Sequence, residues 1–409
     1  MRIALISMHT SPAAVPGSGD AGGMNVVVAS AARALARAGH NVTVFTRADE
    51  TTPAGTSPLG HGARVTALIA GPAELGKGEL PAAVPEFASA LAEQGSFDAI
   101  HAHYWLSGLA ALPLAAANRV IPAITMHTVA DQKNLRLAPG DQPEPELRLA
   151  GERALTRGAH VIACSRSELA AITSGYGEPT HPATIVHPGV DTELFRPVSV
   201  SRETPRRLRI TVLGRVQPLK GQDLAIAAAA RLAHADPELW RSCELVIAGE
   251  PTPGAEGYAA ELRELAHRTG IAAQVTFLPA QDRVAAARLL AESSVVLVPS
   301  HSESFGLVAL EAAACGVPTI IAAHTGLLEA AAPSGAELRL ATRDPAAWAS
   351  ALRALLRDPA QRSRLGEQAR AHALSHNWDA HAALLAQAYS GARPAKTAPL
   401  GAPELSNPR

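Results

Sequence analysis

Two carboxylates, Glu303 and Glu311, stand eight positions apart in the stretch Pro299-Ser300-His301-Ser302-Glu303-Ser304-Phe305-Gly306-Leu307-Val308-Ala309-Leu310-Glu311-Ala312. An ionised carboxylate only accepts hydrogen bonds and takes two hydroxyl donors at once. The pair therefore suits a ligand rich in hydroxyls, with one Glu on a sugar ring and the other on a ribose diol. An apolar strand, Ser294 to Val298, leads into the stretch, and a helix runs from about Gly306. The N–H groups around Ser304 to Gly306 then lack an intrahelical acceptor and carry partial positive charge. Standing alone, the same two residues read equally well as a loop carboxylate and a helical surface carboxylate.

A second constellation lies upstream, where the strand Leu208-Arg209-Ile210-Thr211-Val212-Leu213 ends at Gly214 and Arg215-Val216-Gln217-Pro218-Leu219-Lys220-Gly221 leads into an Ala-rich helix, Asp223 to Leu232. Pro218 near the helix start costs little, because the N–H it removes has no partner there. An Arg fork and a Lys point charge beside a helix N-terminus suit a pyrophosphate. A third lies at the N-terminus, where the strand Arg2 to Ser7 is followed by His9 and by Pro16-Gly17-Ser18-Gly19-Asp20-Ala21-Gly22-Gly23-Met24-Asn25, before a helix from Val26 to Ala38. Gly17, Gly19 and Gly22 match G-x-G-x-x-G, yet the first Gly comes ten residues after the strand, whereas a dinucleotide fold turns at once. Glycines here let backbone N–H groups approach a ligand or its phosphate.

Strands alternate with Ala-rich helices along the chain, which predicts an α/β protein of doubly wound parallel sheets. One series lies near Arg2 to Ser7, Asn41 to Thr46, Ala99 to His101, Ala123 to Met126 and Val161 to Ala163. A second begins at Leu208 and continues through Glu244 to Ile247, Gln274 to Phe277, Val295 to Val298 and Thr319 to Ile321. Between them, Arg196 to Arg207 reads as a linker. The 409 residues and 47% hydrophobic content suffice for two cores. A formal net charge of −1 gives no bulk attraction to nucleic acid or an anionic membrane. The apolar run from Leu310 to Ala323 is broken by Glu311 and Pro318, so no membrane span is expected. Cys164, Cys243 and Cys315 show no metal spacing and read as buried reduced thiols, and a cytoplasmic protein is expected. His101 and His103 alternate along a strand without a third ligand, so no metal is assigned to them.

Read together, these segments resemble the retaining glycosyltransferases of family 4, from Met1 to about Tyr389. The resemblance rests on His9-Thr10-Ser11-Pro12, Gly19-Asp20-Ala21-Gly22-Gly23-Met24-Asn25, His101-Ala102-His103-Tyr104-Trp105-Leu106-Ser107-Gly108, His127-Thr128, Pro143-Glu144-Pro145, His187-Pro188-Gly189-Val190-Asp191 and the two C-terminal constellations. The Glu-x7-Glu motif marks the superfamily. The N-terminal motifs point to the narrower group that transfers N-acetylglucosamine from a UDP donor to inositol phosphate in mycothiol biosynthesis. The resemblance implies a glycosyltransferase B fold, two Rossmann-like domains with doubly wound parallel sheets facing a cleft. Residues 1–195, with a C-terminal helix of about 377–392 crossing back, would bind the acceptor, and residues 208–376 the UDP-sugar. Residues 393–409 would form a disordered tail.

For the acceptor, the resemblance implies Lys77, Tyr104, Thr128 and Arg148, with His9, Asp20 and Asn25 nearby. For the donor it implies Gly23 against the pyrophosphate, Arg215 and Lys220 as its counter-charges, Gln281 at the uracil, Glu303 on sugar hydroxyls and Glu311 on the ribose diol. Arg215, Lys220, Glu303 and His127 would act in catalysis, the last against the donor sugar. No cofactor is implied for catalysis, a non-catalytic Mg2+ is allowed for, and relatives suggest a homodimer. One departure stands out. After Pro318 the chain reads His324-Thr325-Gly326-Leu327-Leu328, where relatives carry a Gly-Gly-Leu-Pro-like loop. Two other activities stay open at this point: another family 4 transferase, of the sucrose-phosphate or lipid-linked hexosyl type, and a nicotinamide-dependent oxidoreductase using the glycine loop with Asp49. Loop length and the Glu pair oppose the oxidoreductase.

Overall fold

The strand β1 (Arg2–Ile6) buries Ile3, Ala4, Leu5 and Ile6 completely, the pattern of a parallel strand covered on both faces. It is central in an eight-stranded sheet with β2 (Asn41–Arg47), β3 (Gly55–Gly60), β4 (Ala63–Leu68), β5 (Ala99–His103), β6 (Ala123–Thr125), β7 (His160–Ala163) and β8 (Thr184–Ile185), in the order β3-β4-β2-β1-β5-β6-β7-β8. All neighbours are parallel except β3 and β4. A second, wholly parallel sheet holds β9 (Leu208–Leu213), β10 (Cys243–Ala248), β11 (Val275–Leu278), β12 (Val295–Val298), β13 (Thr319–Ala322) and β14 (Leu338–Leu340), ordered β11-β10-β9-β12-β13-β14. The computed structural model describes residues 1–17, 19–138, 141–198, 207–331 and 338–391. The expected linker falls partly, and the expected tail wholly, outside these residues.

Both sheets reverse their winding direction once. From β1 the chain goes to β2 on one side and returns to β5 on the other; from β9 it goes to β10 and β11, then returns to β12. Crevices at the carboxyl ends of strands open at such switch points. The four segments leaving β1, β5, β9 and β12 carry His9, Tyr104, Arg215 and Glu303. The last helix, Trp378–Gly391, packs into the core of the first sheet through Trp378, Leu385 and Tyr389. The Tyr389 hydroxyl shares a 2.8 Å hydrogen bond with His101 Nδ1, and Arg37 pairs with Asp379 at 2.6 Å. The helix thus packs against the first sheet and its opening helix.

The sequence reading places the central strands to within a few residues but omits β3, β4, β8 and β14. In β3 every residue except Leu59 is exposed and Pro58 interrupts the pattern, which an edge strand tolerates. The strands β8 and β14 have two and three residues, too few to show a period. The first helix begins at Gly23, three residues before the expected Val26. The three cysteines are buried and free. No helix among the described residues is long and apolar enough to cross a membrane.

Candidate active site

A cavity of about 330 Å³ opens between the two sheets, and every residue singled out from the sequence as donor-binding, acceptor-binding or catalytic lines it. Its walls come from both domains because the glycine loop of the first lies directly on the second. A Cβ on Gly22 would sit 3.4 Å from Arg215 Nε, and one on Gly23 would sit 3.4 Å from Leu307 Cδ1. The Glu250 N–H donates to the Gly17 carbonyl at 3.2 Å. Asn25 builds this loop from within. Its Oδ1 accepts the Gly22 N–H at 2.9 Å, and its Nδ2 donates to Thr10 Oγ1 at 2.9 Å and to the Ser11 carbonyl at 2.7 Å. The Asn25 amide is therefore fully engaged inside the protein, and the residue shapes the acceptor side through the backbone it holds.

On the second-domain side, Lys220 Nζ lies 2.6 Å from Glu303 Oε1, which also accepts the Ser300 hydroxyl at 2.7 Å. Glu311 is 3% exposed and meets Arg283 at 2.5 Å; the Arg283 guanidinium also lies 4.5 Å from the centre of the Phe195 ring. Arg283 was not found from the sequence. It sits one position past Asp282, the N-cap of a short helix, and only the fold brings it to Glu311. Gln281 lines the cavity, and its side chain turns back onto the Pro279 carbonyl at 2.8 Å.

On the first-domain side, Arg148 is buried and shares its fork among Glu152 at 2.6 Å, Glu144 at 2.9 Å and Thr128. Burial alone would lower its pKa; Glu152, Tyr104 and Glu144 outweigh it and hold the guanidinium firmly charged. Thr128 Oγ1 accepts from Arg148 at 2.7 Å, so its own proton is free to donate into the cavity. The Arg148 guanidinium stacks 4.7 Å over the Tyr104 ring, and His9 lies 4.3 Å from the same ring. His9 Nδ1 is buried without a partner, a group of the kind a ligand satisfies. Arg47 was also missed from the sequence. It is buried at the end of β2 and donates to the Pro72 carbonyl at 2.8 Å and the Ala73 carbonyl at 3.2 Å, fixing the loop that carries Lys77.

Asp20 joins the two halves, 3.1 Å from Lys77 Nζ and 3.6 Å from Arg215 Nη1. An anion thus already stands between a first-domain and a second-domain cation. His127, at the end of β6, has φ +60 and shares a 2.9 Å hydrogen bond from Nε2 to His103 Nδ1. Its carbonyl accepts the Ser304 hydroxyl across the cleft. Loss of hydration pushes its pKa down to about 3, so the ring is neutral at physiological pH and is no proton donor there. Asp49 does not line the cavity; its carboxylate holds the N–H groups of Thr51 and Thr52 at 2.9 and 2.7 Å in its own turn. That removes the residue an oxidoreductase would need.

The comparisons with known proteins agree with this geometry. A model of family 4 glycosyltransferases, described as those in conflict systems, matches residues 16–385. This chain belongs to the family 4 glycosyltransferases. It is 40% identical to the D-inositol 3-phosphate glycosyltransferase of Acidothermus cellulolyticus, over 92% of this chain and 87% of that protein. The Kribbella flavida protein of the same name is also 40% identical, over 95% of each. Among solved structures, sucrose-phosphate synthase from Thermosynechococcus elongatus is 31% identical, with a TM-score of 0.86 over 96% of this chain and 98% of that one. The two parallel sheets and their cleft are accordingly a glycosyltransferase B fold, and the protein is a sugar-transferring enzyme.

The histidines give this transferase a pH signature. Loss of hydration is the largest cause lowering His9, His101, His103, His127 and His381 below the ordinary 6.5. A ring kept neutral when folded contributes stability that is complete above 6.5 and is lost as pH falls toward the folded value. For the buried His101, His103 and His381 this amounts to about 1.4 kcal/mol per ring and pH unit. Glu168, raised by burial to about 7, works in the opposite sense but is a single group. Calorimetry from pH 7.5 to 5 should therefore show a falling Tm; a constant or rising Tm would contradict the buried neutral rings.

Proposed function

We propose that the protein is a retaining transferase that moves N-acetylglucosamine from UDP-N-acetylglucosamine to 1D-myo-inositol 3-phosphate, in mycothiol biosynthesis. The observation that carries this reading is a cavity lined by two cation sets, Lys77 with Arg148 and Arg215 with Lys220, of which Lys77 and Arg215 meet across Asp20. An acceptor phosphate suits the first set, with the free Thr128 hydroxyl proton and the unpartnered His9 Nδ1 beside it. The donor diphosphate suits the second, below the glycine loop at Gly23. Glu311, oriented by Arg283, takes the ribose diol, and the backbone at Gln281 takes the uracil.

In this reading the bond from sugar C1 to the diphosphate oxygen breaks while the acceptor hydroxyl oxygen attacks C1 from the same face. The departing phosphate oxygen takes the acceptor proton. Arg215 and Lys220 stabilise the negative charge that develops on the diphosphate, a task pre-placed cations perform without reorganising. Glu303 holds sugar hydroxyls, and the neutral His127 ring bounds the sugar without moving a proton.

The sucrose-phosphate synthase likeness favours a second reading, in which the acceptor is a hexose phosphate. Both acceptors offer a phosphate monoester to Lys77 and Arg148, so the polyol ring decides between them. The test is a competition: protein, UDP-sugar and equal concentrations of inositol 3-phosphate and fructose 6-phosphate, with products separated by mass. A glycosyl-inositol phosphate as main product supports the first reading, and a disaccharide phosphate as main product replaces it with the second.

A further inference from the structure

The segment His324-Thr325-Gly326-Leu327-Leu328, which departs from the loop of relatives, lies against the first carboxylate of the Glu pair. Thr325 has φ +56, a left-handed backbone that a β-branched residue rarely adopts. Its hydroxyl Oγ1 accepts the Glu303 N–H at 3.1 Å, and the next residue, Gly326, donates its N–H to the Glu303 carbonyl at 2.9 Å. Both backbone groups of Glu303 are thus held by this loop. A Cβ on Gly326 would run into the Ser304 carbonyl, so the contact has no slack.

The far end of the loop is fixed to the other domain. Glu329 accepts the N–H groups of Arg166 at 2.8 Å and Ser167 at 2.9 Å, the opening residues of the helix Arg166–Tyr176, and lies 3.1 Å from His187 Nε2. A carboxylate is favoured at a helix start by the unpaired N–H groups and the dipole. Beside it, Ser165 Oγ donates to the Ser304 carbonyl at 2.7 Å, and the Ser304 hydroxyl donates to the His127 carbonyl. A continuous set of hydrogen bonds therefore runs from the first domain to the Glu329 carboxylate, from the Glu329 N–H to the Gly326 carbonyl at 3.0 Å, and from the Gly326 N–H to Glu303, with the Thr325 hydroxyl holding the Glu303 N–H beside it.

We propose that Thr325 is a positioning residue for the donor sugar: it holds Glu303 in its working orientation, and Glu329 anchors the loop so that this orientation is reached only with the two domains together. The inference rests on the reading in which Glu303 holds sugar hydroxyls. The strained backbone at Thr325 is maintained by the hydroxyl bond that serves Glu303.

The test uses the full-length protein with Thr325→Val, Thr325→Gly, Thr325→Ser and Glu329→Gln. Valine keeps the shape and removes the hydroxyl, whereas glycine removes the strain as well. Kinetics are measured with UDP-N-acetylglucosamine and UDP-glucose, and UDP affinity by calorimetry. We expect kcat to fall by about tenfold to a hundredfold in the valine and glycine variants, the scale of a misplacement of roughly 1 Å. The ratio of kcat/KM between the two donors should move toward one, and UDP affinity should hold, because UDP is bound by groups the loop does not touch. Thr325→Gly should match or exceed the wild-type Tm, so its loss of turnover is not unfolding. Thr325→Ser should restore turnover, and Glu329→Gln should lower kcat at unchanged UDP affinity. Wild-type turnover and donor ratio in the valine and glycine variants would overturn the positioning role alone. A wild-type protein that neither binds UDP nor turns over a UDP-sugar would overturn the reading of the site with it.

Discussion

Replacing Lys220 by alanine is expected to lower kcat by about a hundredfold at saturating donor, a loss of roughly 3 kcal/mol of transition-state stabilisation. Lys220 stands at the start of the helix Gln222–Ala235, just before the left-handed Gly221, and its ammonium meets Glu303 at 2.6 Å. In the ground state this charge is paired; in the transition state the same ammonium faces a diphosphate gaining negative charge. Arg215 remains in the variant, but its guanidinium also answers to Asp20. Removing Lys220 also leaves Glu303 without its cation beside an anionic leaving group. Stopped assays of UDP formation across donor concentrations separate the cases: a fall in kcat supports the role, and unchanged turnover at saturation removes it.

Arg148→Ala is expected to affect both stability and acceptor use. Glu152 is 0% exposed and its Oε1 faces Arg148 Nε at 2.6 Å, so the substitution leaves a buried carboxylate without its counter-charge. Breaking such a pair costs about 3–5 kcal/mol. The KM for the acceptor phosphate should rise about tenfold or more, the worth of one charge-assisted hydrogen bond. The donor KM should stay put, because Arg148 lies on the first-domain side. Arg148→Lys retains a charge without the fork, and should keep more of the stability than of the acceptor binding. Calorimetry and initial rates on both variants check this; an Arg148→Ala protein with a wild-type Tm and acceptor KM would show that the residue is neither structural nor ligand-facing.

What was legible in the sequence was periodicity and local chemistry. Runs such as Ile3 to Ile6 and Val295 to Val298 read as strands of a parallel sheet from their shortness and β-branched content, and each is followed within a few residues by a His or a carboxylate. That pattern places His9, Arg215, Lys220 and Glu303 at strand ends before any fold is known. The resemblance to a family added Lys77, Thr128 and Arg148, whose local context is unremarkable.

Long-range pairing was not legible. Nothing near Arg283 signals that it meets Glu311 or lies over Phe195, and nothing near Arg47 signals that its guanidinium holds Pro72 and Ala73. The edge strands were hidden for another reason: Pro58 and the exposed residues around it resemble a loop until β4 pairs with them. Asn25 was read as lying near the acceptor, and what the sequence did not show is that its side chain builds the glycine loop there. The odd sequence at Thr325 was visible as a departure, but its meaning required seeing which backbone its hydroxyl holds.

The central claim is that one cavity brings a UDP-sugar and a phosphorylated polyol together for transfer. Its most direct test is the release of UDP from UDP-N-acetylglucosamine by the purified protein, with and without 1D-myo-inositol 3-phosphate, followed by the mass of the product. The account predicts UDP release that depends on the acceptor and a product combining the N-acetylglucosaminyl and inositol phosphate masses. Release that is indifferent to the acceptor, or no release with both substrates present, would contradict it.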